Sequence, residues 1–213
     1  MNLLYEKFPE TVRISGKDYA IYTDFRNWLR FFDMLEEKGL SEREKMLLAL
    51  RWFKPSTFFN GGHCTGESQH DLQENNANRT EGAISPIPPN LWEESIQALI
   101  RFAICGEIPE QSAKSGRNKK ILSWSFDAPF VYAGFLSVYQ IDLLTVQMHW
   151  HLFRALFDAL PEDTPIKQRM YYRGVNIAEI KDKNEKKRIL KIQQQIRIPQ
   201  EKMNAFEIGS AFG

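Results

Sequence analysis

Thr23-Asp24-Phe25-Arg26-Asn27-Trp28-Leu29-Arg30-Phe31-Phe32-Asp33-Met34-Leu35-Glu36-Glu37-Lys38-Gly39, running on through Leu40 to Ser41-Glu42-Arg43-Glu44, is the stretch that decides the fold class. Thr23 or Asp24 supplies a cap and Gly39 a stop, so the segment between them is delimited as a helix from Phe25 to Lys38. Inside it Phe25, Trp28, Leu29, Phe32 and Leu35 recur at helical spacing and make one apolar stripe. Ser41 with Glu44 three residues on is a capping box, opening a second helix from Glu42 to Phe53 that turns Met46, Leu47, Leu50 and Phe53 inward. Pro55 ends it. Two helices joined by so short a turn pack as an antiparallel pair, and the chain reads as mainly α.

Upstream, Val12-Arg13-Ile14 and Tyr19-Ala20-Ile21-Tyr22 alternate on either side of Ser15-Gly16-Lys17-Asp18, the pattern of a small β-hairpin. A hairpin alone is marginal in water, so it is expected to lie on the helices that follow. Downstream, the Gly-, Pro- and polar-rich stretch from Ser56 to Asn90 has no apolar period and reads as a flexible polar insertion. A helix from Leu91 to Cys105 presents Trp92, Ile96, Leu99, Ile100 and Ala103, and Gly106 stops it. A second link at about 107–120 ends basic with Lys114, Arg117, Lys119 and Lys120, and Ile121 to Ser125 reads as extended.

Asp127 then caps a helix, with Pro129 in its first turn, that runs from Phe130 to Tyr139 and is apolar nearly all round. An amphipathic helix from about Leu144 to Leu160 has Val146, Trp150, Phe153, Leu156, Phe157 and Leu160 as its inner face. A short helix from Pro165 to Tyr172 follows, and Asn176 or Asp182 starts the last one. There Ile189, Ile192 and Ile196 form a narrow seam on a charged rod closed by Pro199. The architecture expected is mainly α, a compact bundle of about six to seven helices with a small N-terminal β-hairpin. Residues 1–198 read as a single domain carrying the 56–90 insertion and the 107–120 link, with 199–213 as a tail.

Composition narrows the function classes. There are 28 basic and 27 acidic residues, a net charge of +1, which argues against a protein built around a nucleic-acid backbone. Cys64 and Cys105 stand far apart, as in a reducing cytoplasm. Residues 1–10 carry charge and Pro9 where a signal peptide would need an apolar run. No segment nears the roughly 18 apolar residues of a membrane span, and a soluble protein of the cytoplasm is expected.

Chemistry-bearing constellations are thin. His63, Cys64 and His70 are potential zinc ligands, but a structural site needs a fourth, and the adjacent pair has no chelating spacing; polar residues of a solvated loop are the better reading. His149 and His151 are two apart on a helix and point in different directions, His149 beside the apolar stripe and His151 outside it. Glu36-Glu37, Glu93-Glu94 and Glu162-Asp163 sit at helix ends or surfaces as solvated charge. There is no Gly-rich phosphate loop, nucleophile elbow or Cys-x-x-Cys. Hence no catalytic residue, metal ligand or cofactor is assigned. The lysines at 181, 183, 186, 187 and 191 with Arg188 are interleaved with Glu179, Asp182 and Glu185, as on a solvated helix with internal ion pairs. What remains is protein binding. The last helix, through Lys187, Ile189, Ile192 and Ile196, is the candidate contact, and packing on its own domain is the alternative.

Three blocks carry a resemblance. The first runs from Tyr19 to Trp28 and holds Asp24, Phe25 and Trp28. The second is Phe126-Asp127-Ala128 through Tyr132-Ala133, into Tyr139-Gln140-Ile141-Asp142-Leu143. The third is Met148-His149-Trp150, Phe153-Arg154-Ala155-Leu156 and Leu160-Pro161-Glu162-Asp163-Thr164, followed by Tyr172-Arg173 and Ile180-Lys181-Asp182-Lys183. In this order they resemble the bacteriophage gp-fifteen family across nearly the whole chain. The resemblance implies a tail-module protein of long-tailed phages and prophages, encoded just ahead of the tape-measure protein, where tail assembly chaperones are found. It implies a non-catalytic chaperone in the host cytoplasm whose partners are the tape-measure and tail-tube proteins, with self-association left open and no membrane or nucleic-acid partner. The rival reading is a structural tail or tail-completion protein retained in the virion. Asp24, Phe25, Trp28, Asp127, Trp150 and Arg154 are the candidate signature residues, with Arg154 expected to pair with Asp24 or Asp127 across the blocks.

Overall fold

The computed structural model describes residues 5–55, 87–105 and 119–199. The expected insertion therefore lies outside the described residues over 56–86, as do the link over 106–118 and the tail over 200–213. The chain divides into two compact units, Met1–Ile108 and Pro109–Gly213. Seven α-helices and one two-stranded sheet are seen among the described residues, which is the mainly α architecture with an N-terminal hairpin.

In the first unit β1 (Thr11–Ile14) pairs antiparallel with β2 (Lys17–Ala20), in a register that sets Ile14 opposite Lys17. The two-residue turn, Ser15-Gly16, takes φ of 45° and 78°. Two positive φ values make the turn whose twist matches the strands, and glycine fits its second position freely. Serine at the first does not, and its strain is offset from outside: the Glu94 carboxylate accepts from the Ser15 N–H at 2.6 Å and from its hydroxyl at 2.7 Å. Glu94 belongs to α3 (Trp92–Ala103), against which β1 packs, burying Val12 and Ile14. The hairpin does lie on a helix.

Asp24 caps α1 (Phe25–Glu36), accepting from the Arg26 N–H at 2.9 Å. The helix stops two residues short of the expected Lys38, because Glu37 is already extended at ψ 116°. Its buried side is Phe25, Trp28 and Phe31, while Leu29, Phe32 and Leu35 are half-buried. The stripe is thus rotated from the expected one by the neighbours it meets: Trp28 packs on Phe102 of α3 with ring centroids 4.6 Å apart, and Phe31 on Trp52 at 5.2 Å. The Ser41–Glu44 capping box is formed and opens α2 (Glu42–Ala49). Instead of continuing to Phe53, the chain tightens into a 3-10 turn, Leu50–Trp52. The Tyr22 N–H donates to the Trp52 carbonyl at 3.0 Å and the Lys54 N–H to the Ala20 carbonyl at 2.9 Å. That pairing with the end of the hairpin needs extended backbone and breaks the helical period, which leaves Leu47 exposed rather than inward. At the far edge of the expected insertion, Ile87 is buried and Pro89–Leu91 is a 3-10 turn leading into α3. Helix α3 buries Ser95, Ala98, Leu99, Phe102 and Ala103, while Trp92, Ile96 and Ile100 are half-buried.

The second unit holds α4 (Ala128–Tyr139), α5 (Trp150–Asp158), α6 (Pro165–Gly174) and α7 (Lys183–Gln195). Its core is a stack of rings: Phe135 of α4 lies parallel to Phe153 of α5 at 5.0 Å, and Trp124 packs edge-on against Phe157 at 5.0 Å. Gly134 lets this layer close, since a Cβ there would come within 3.3 Å of Leu160. Although α4 is apolar nearly all round, Leu136 and Val138 are exposed. Residues 121–125 are not one extended stretch, because a turn at 124–126 returns the Asp127 N–H to the Ser123 carbonyl at 2.8 Å. Helix α5 starts six residues later than expected. Asp142 holds the amides of Leu144, Thr145 and Val146 in a turn, and His149 is extended at ψ 140°. Both Asn176 and Asp182 act as caps, the first for a 3-10 turn (Ile177–Glu179) and the second for α7.

Candidate functional site

Asp127 stands at the cap position of α4, but its side chain does not cap. It is fully buried, and its two oxygens accept from Arg173 Nη1 at 2.6 Å and Nη2 at 2.9 Å. The Ser123 N–H adds a third bond at 3.1 Å, to Oδ2, and Arg169 Nε lies 3.4 Å from Oδ1, the oxygen that accepts from Nη2. Arg173 is nearly as buried. Beyond Asp127 it donates to the carbonyls of Ile121 at 2.9 Å and Ile196 at 2.7 Å. The Arg169 guanidinium lies 3.9 Å from the Phe130 ring centroid. A bidentate arginine–carboxylate pair with further hydrogen bonds to both partners is the geometry in which burial of two charges is tolerable. It joins four parts of the unit: the 121–127 segment, the start of α4, α6 and the end of α7.

This is where the second and third sequence blocks meet. Asp127 comes from the second and Arg173 from the end of the third, while Trp124 reaches Trp150 at 6.2 Å. Arg154 is not the partner: it pairs with Asp158 one helical turn on, at 3.5 Å, and lies 5.8 Å from the Trp150 ring centroid. Asp24 is held instead by Arg26 at 3.2 Å. Asp127 has the look of a cap because aspartate is a preferred N-cap and Pro129 falls in the turn that follows it. The signal that could have found its partner is an arginine at the end of a short helix between apolar segments, a position where Arg173 has no reason to be solvated.

The other sequence candidates fall as follows. Phe25, Trp28 and Trp150 are core residues. His149 is the α5 cap, its Nδ1 accepting from the His151 N–H at 3.0 Å. His151, expected outside the stripe, is buried, its ring edge-on to that of His149 at 5.1 Å. Ile189 is buried against its own unit, where α6 packs on α7, and Ile192 and Ile196 are half-buried, whereas Lys187 is exposed. His63, Cys64 and His70 lie outside the described residues, and among the described residues no three His, Cys, Asp or Glu side chains gather as a metal site needs. No helix among them is long and apolar enough to cross a membrane.

A hairpin seated on helices in one unit, and aromatic layers tied by a buried aspartate–arginine pair in the other, define a mainly helical scaffold. The chain belongs to the Bacteriophage Gp15 protein family, whose match covers residues 4–198. It is thus a phage-related protein. No curated protein and no solved structure matches it.

Proposed function

We propose that this protein is a non-catalytic tail assembly factor, a chaperone that binds the tape-measure protein and tail-tube subunits in the host cytoplasm. Membership of the phage family is the observation that carries the reading. The tail-module context implied by the resemblance supplies the partners. The interior chemistry agrees with it. The Asp127 carboxylate is taken up by Arg173 and the Ser123 N–H, and His149 is engaged as a helix cap, so these groups are committed to structure. The test is co-expression with the tape-measure protein of the same genome, followed by co-purification and sizing. A soluble stoichiometric complex is expected, with the tape measure insoluble when made alone. No association, together with this chain in purified particles, would replace the chaperone with a structural tail protein.

A further inference from the structure

The solvent side of α7 is a surface that the interior does not use. At roughly 100° per residue, Lys183, Lys187, Leu190, Lys191 and Gln194 share one side of the rod, and all five are exposed. The isoleucine seam lies on the opposite side. That side is held fast: the Gln193 amide donates to the carbonyls of Tyr172 at 2.7 Å and Val175 at 3.0 Å, and Arg173 reaches the Ile196 carbonyl. The rod therefore cannot rotate to hide the row.

The acids of this helix are engaged elsewhere. Asp182 accepts from the N–H groups of Asn184 and Glu185 at 2.7 and 2.8 Å, and Glu185 holds Arg188 through bonds of 2.9 and 3.0 Å. Among the described residues none of Lys183, Lys187 and Lys191 forms an ion pair. Three like charges four residues apart, spanning about 12 Å, repel one another and weaken an isolated helix. Carboxylates facing them at the same spacing would reverse that sign.

We infer that this row is the docking face for an acidic amphipathic helix of a partner protein. Its carboxylates, four residues apart, meet Lys183, Lys187 and Lys191, and an apolar side chain covers Leu190. The inference rests on the tail-assembly reading for the existence of a protein client, and it moves the contact from the isoleucine seam to the opposite side of α7. A helix fits the row better than nucleic acid does, because an exposed leucine sits at its middle and no aromatic or arginine accompanies the lysines there.

The probe is a labelled synthetic helical peptide of about 20 residues, with glutamates at four-residue spacing around a leucine, titrated into the full chain by fluorescence anisotropy. Saturable binding is expected, weakening as salt screens the contact. The double change Lys187→Glu with Lys191→Glu should weaken it by at least about tenfold. A peptide with lysines in place of its glutamates should bind the reversed chain instead, a swap that a merely misfolded variant would not show. The idea is overturned if the acidic peptide does not bind, or binds wild type and variant alike. It is equally overturned if duplex DNA binds more tightly than the peptide through the same lysines, or if the variant's effect is to dissolve a dimer of this chain. In the co-expression experiment, a tape-measure complex that survives the double change would sink the α7 face and leave the tail-assembly reading intact. Absence of any complex would sink that reading, and the peptide titration would still judge the face.

Discussion

In the first unit an irregular element, the Ser15-Gly16 turn, is tied to α3 by one carboxylate at the surface; in the second, the 121–127 segment is tied to α6 and α7 by one carboxylate in the interior. Glu94 makes two hydrogen bonds to Ser15, and Asp127 makes two to Arg173 and one to Ser123. The bond counts are similar, but the consequences of breaking them differ. Water replaces the lost partner of an exposed carboxylate, whereas a buried one is left charged in a medium that cannot solvate it. The comparison teaches that the same side-chain chemistry positions a loop weakly or organises a whole unit according to where the fold puts it.

The strongest way to break this contrast is Arg173→Met. It leaves Asp127 buried without its main partner and is expected to destabilise by about 3–5 kcal/mol in urea unfolding followed by tryptophan fluorescence. Replacing Asp127 by leucine in the same chain should recover much of that loss, because an apolar pair of similar volume carries no desolvation cost. If the single change costs under about 1 kcal/mol, the clamp is not the organising contact claimed here. A middle case is His149→Ala, which removes the cap of α5. A loss of about 1 kcal/mol is expected, with faster amide exchange confined to the first turn of that helix.

The smallest effect belongs to Glu94. Hydrogen bonds from the Ser15 backbone N–H, and then from its hydroxyl, hold the Glu94 carboxyl below the ordinary carboxylate range. A carboxylate with a lowered folded-state pKa contributes stability that is present above its unfolded value and is lost as pH falls through the folded one. Acidification below the usual range should therefore release the hairpin turn. Glu94→Gln should abolish that pH dependence without unfolding the chain. Amide exchange at Ser15 measured across acidic pH is the check, and a flat profile in wild type would remove the surface pin from the comparison.

Much of the local structure was legible in advance because its causes are local. The Ser41–Glu44 box, the Asp24 cap, a hairpin turn at Gly16 (two residues tighter than expected, since Lys17 and Asp18 already pair with Ile14 and Arg13), Pro129 in the first turn of α4 and the Asp182 cap each act within a few residues. The helix ends that were misplaced share a different cause. Helix α2 yields to a 3-10 turn because strand-like pairing between Ala20–Tyr22 and Trp52–Lys54 competes with it from some 30 residues away. Helix α5 starts late because Asp142 builds a turn where apolar spacing alone suggests continuation. Of the contact residues read from the sequence, Lys187 is exposed and Ile189 is buried, since periodicity finds an apolar seam but does not say whether its partner is internal.

The amino-acid sequence by itself determined the mainly α class, the N-terminal hairpin, most of the caps and the resemblance of three ordered blocks to a phage family that the match over 4–198 bears out. These follow from period, spacing and turn chemistry, which the chain carries wherever it lies. Only the tertiary structure decided that Asp127 belongs to Arg173 rather than to its own helix or to Arg154, and that α7 turns its isoleucines in and its lysines out. Those outcomes depend on which side chains meet across a sequence separation of 46, and on the desolvation that makes one pairing of buried charges far better than the rest.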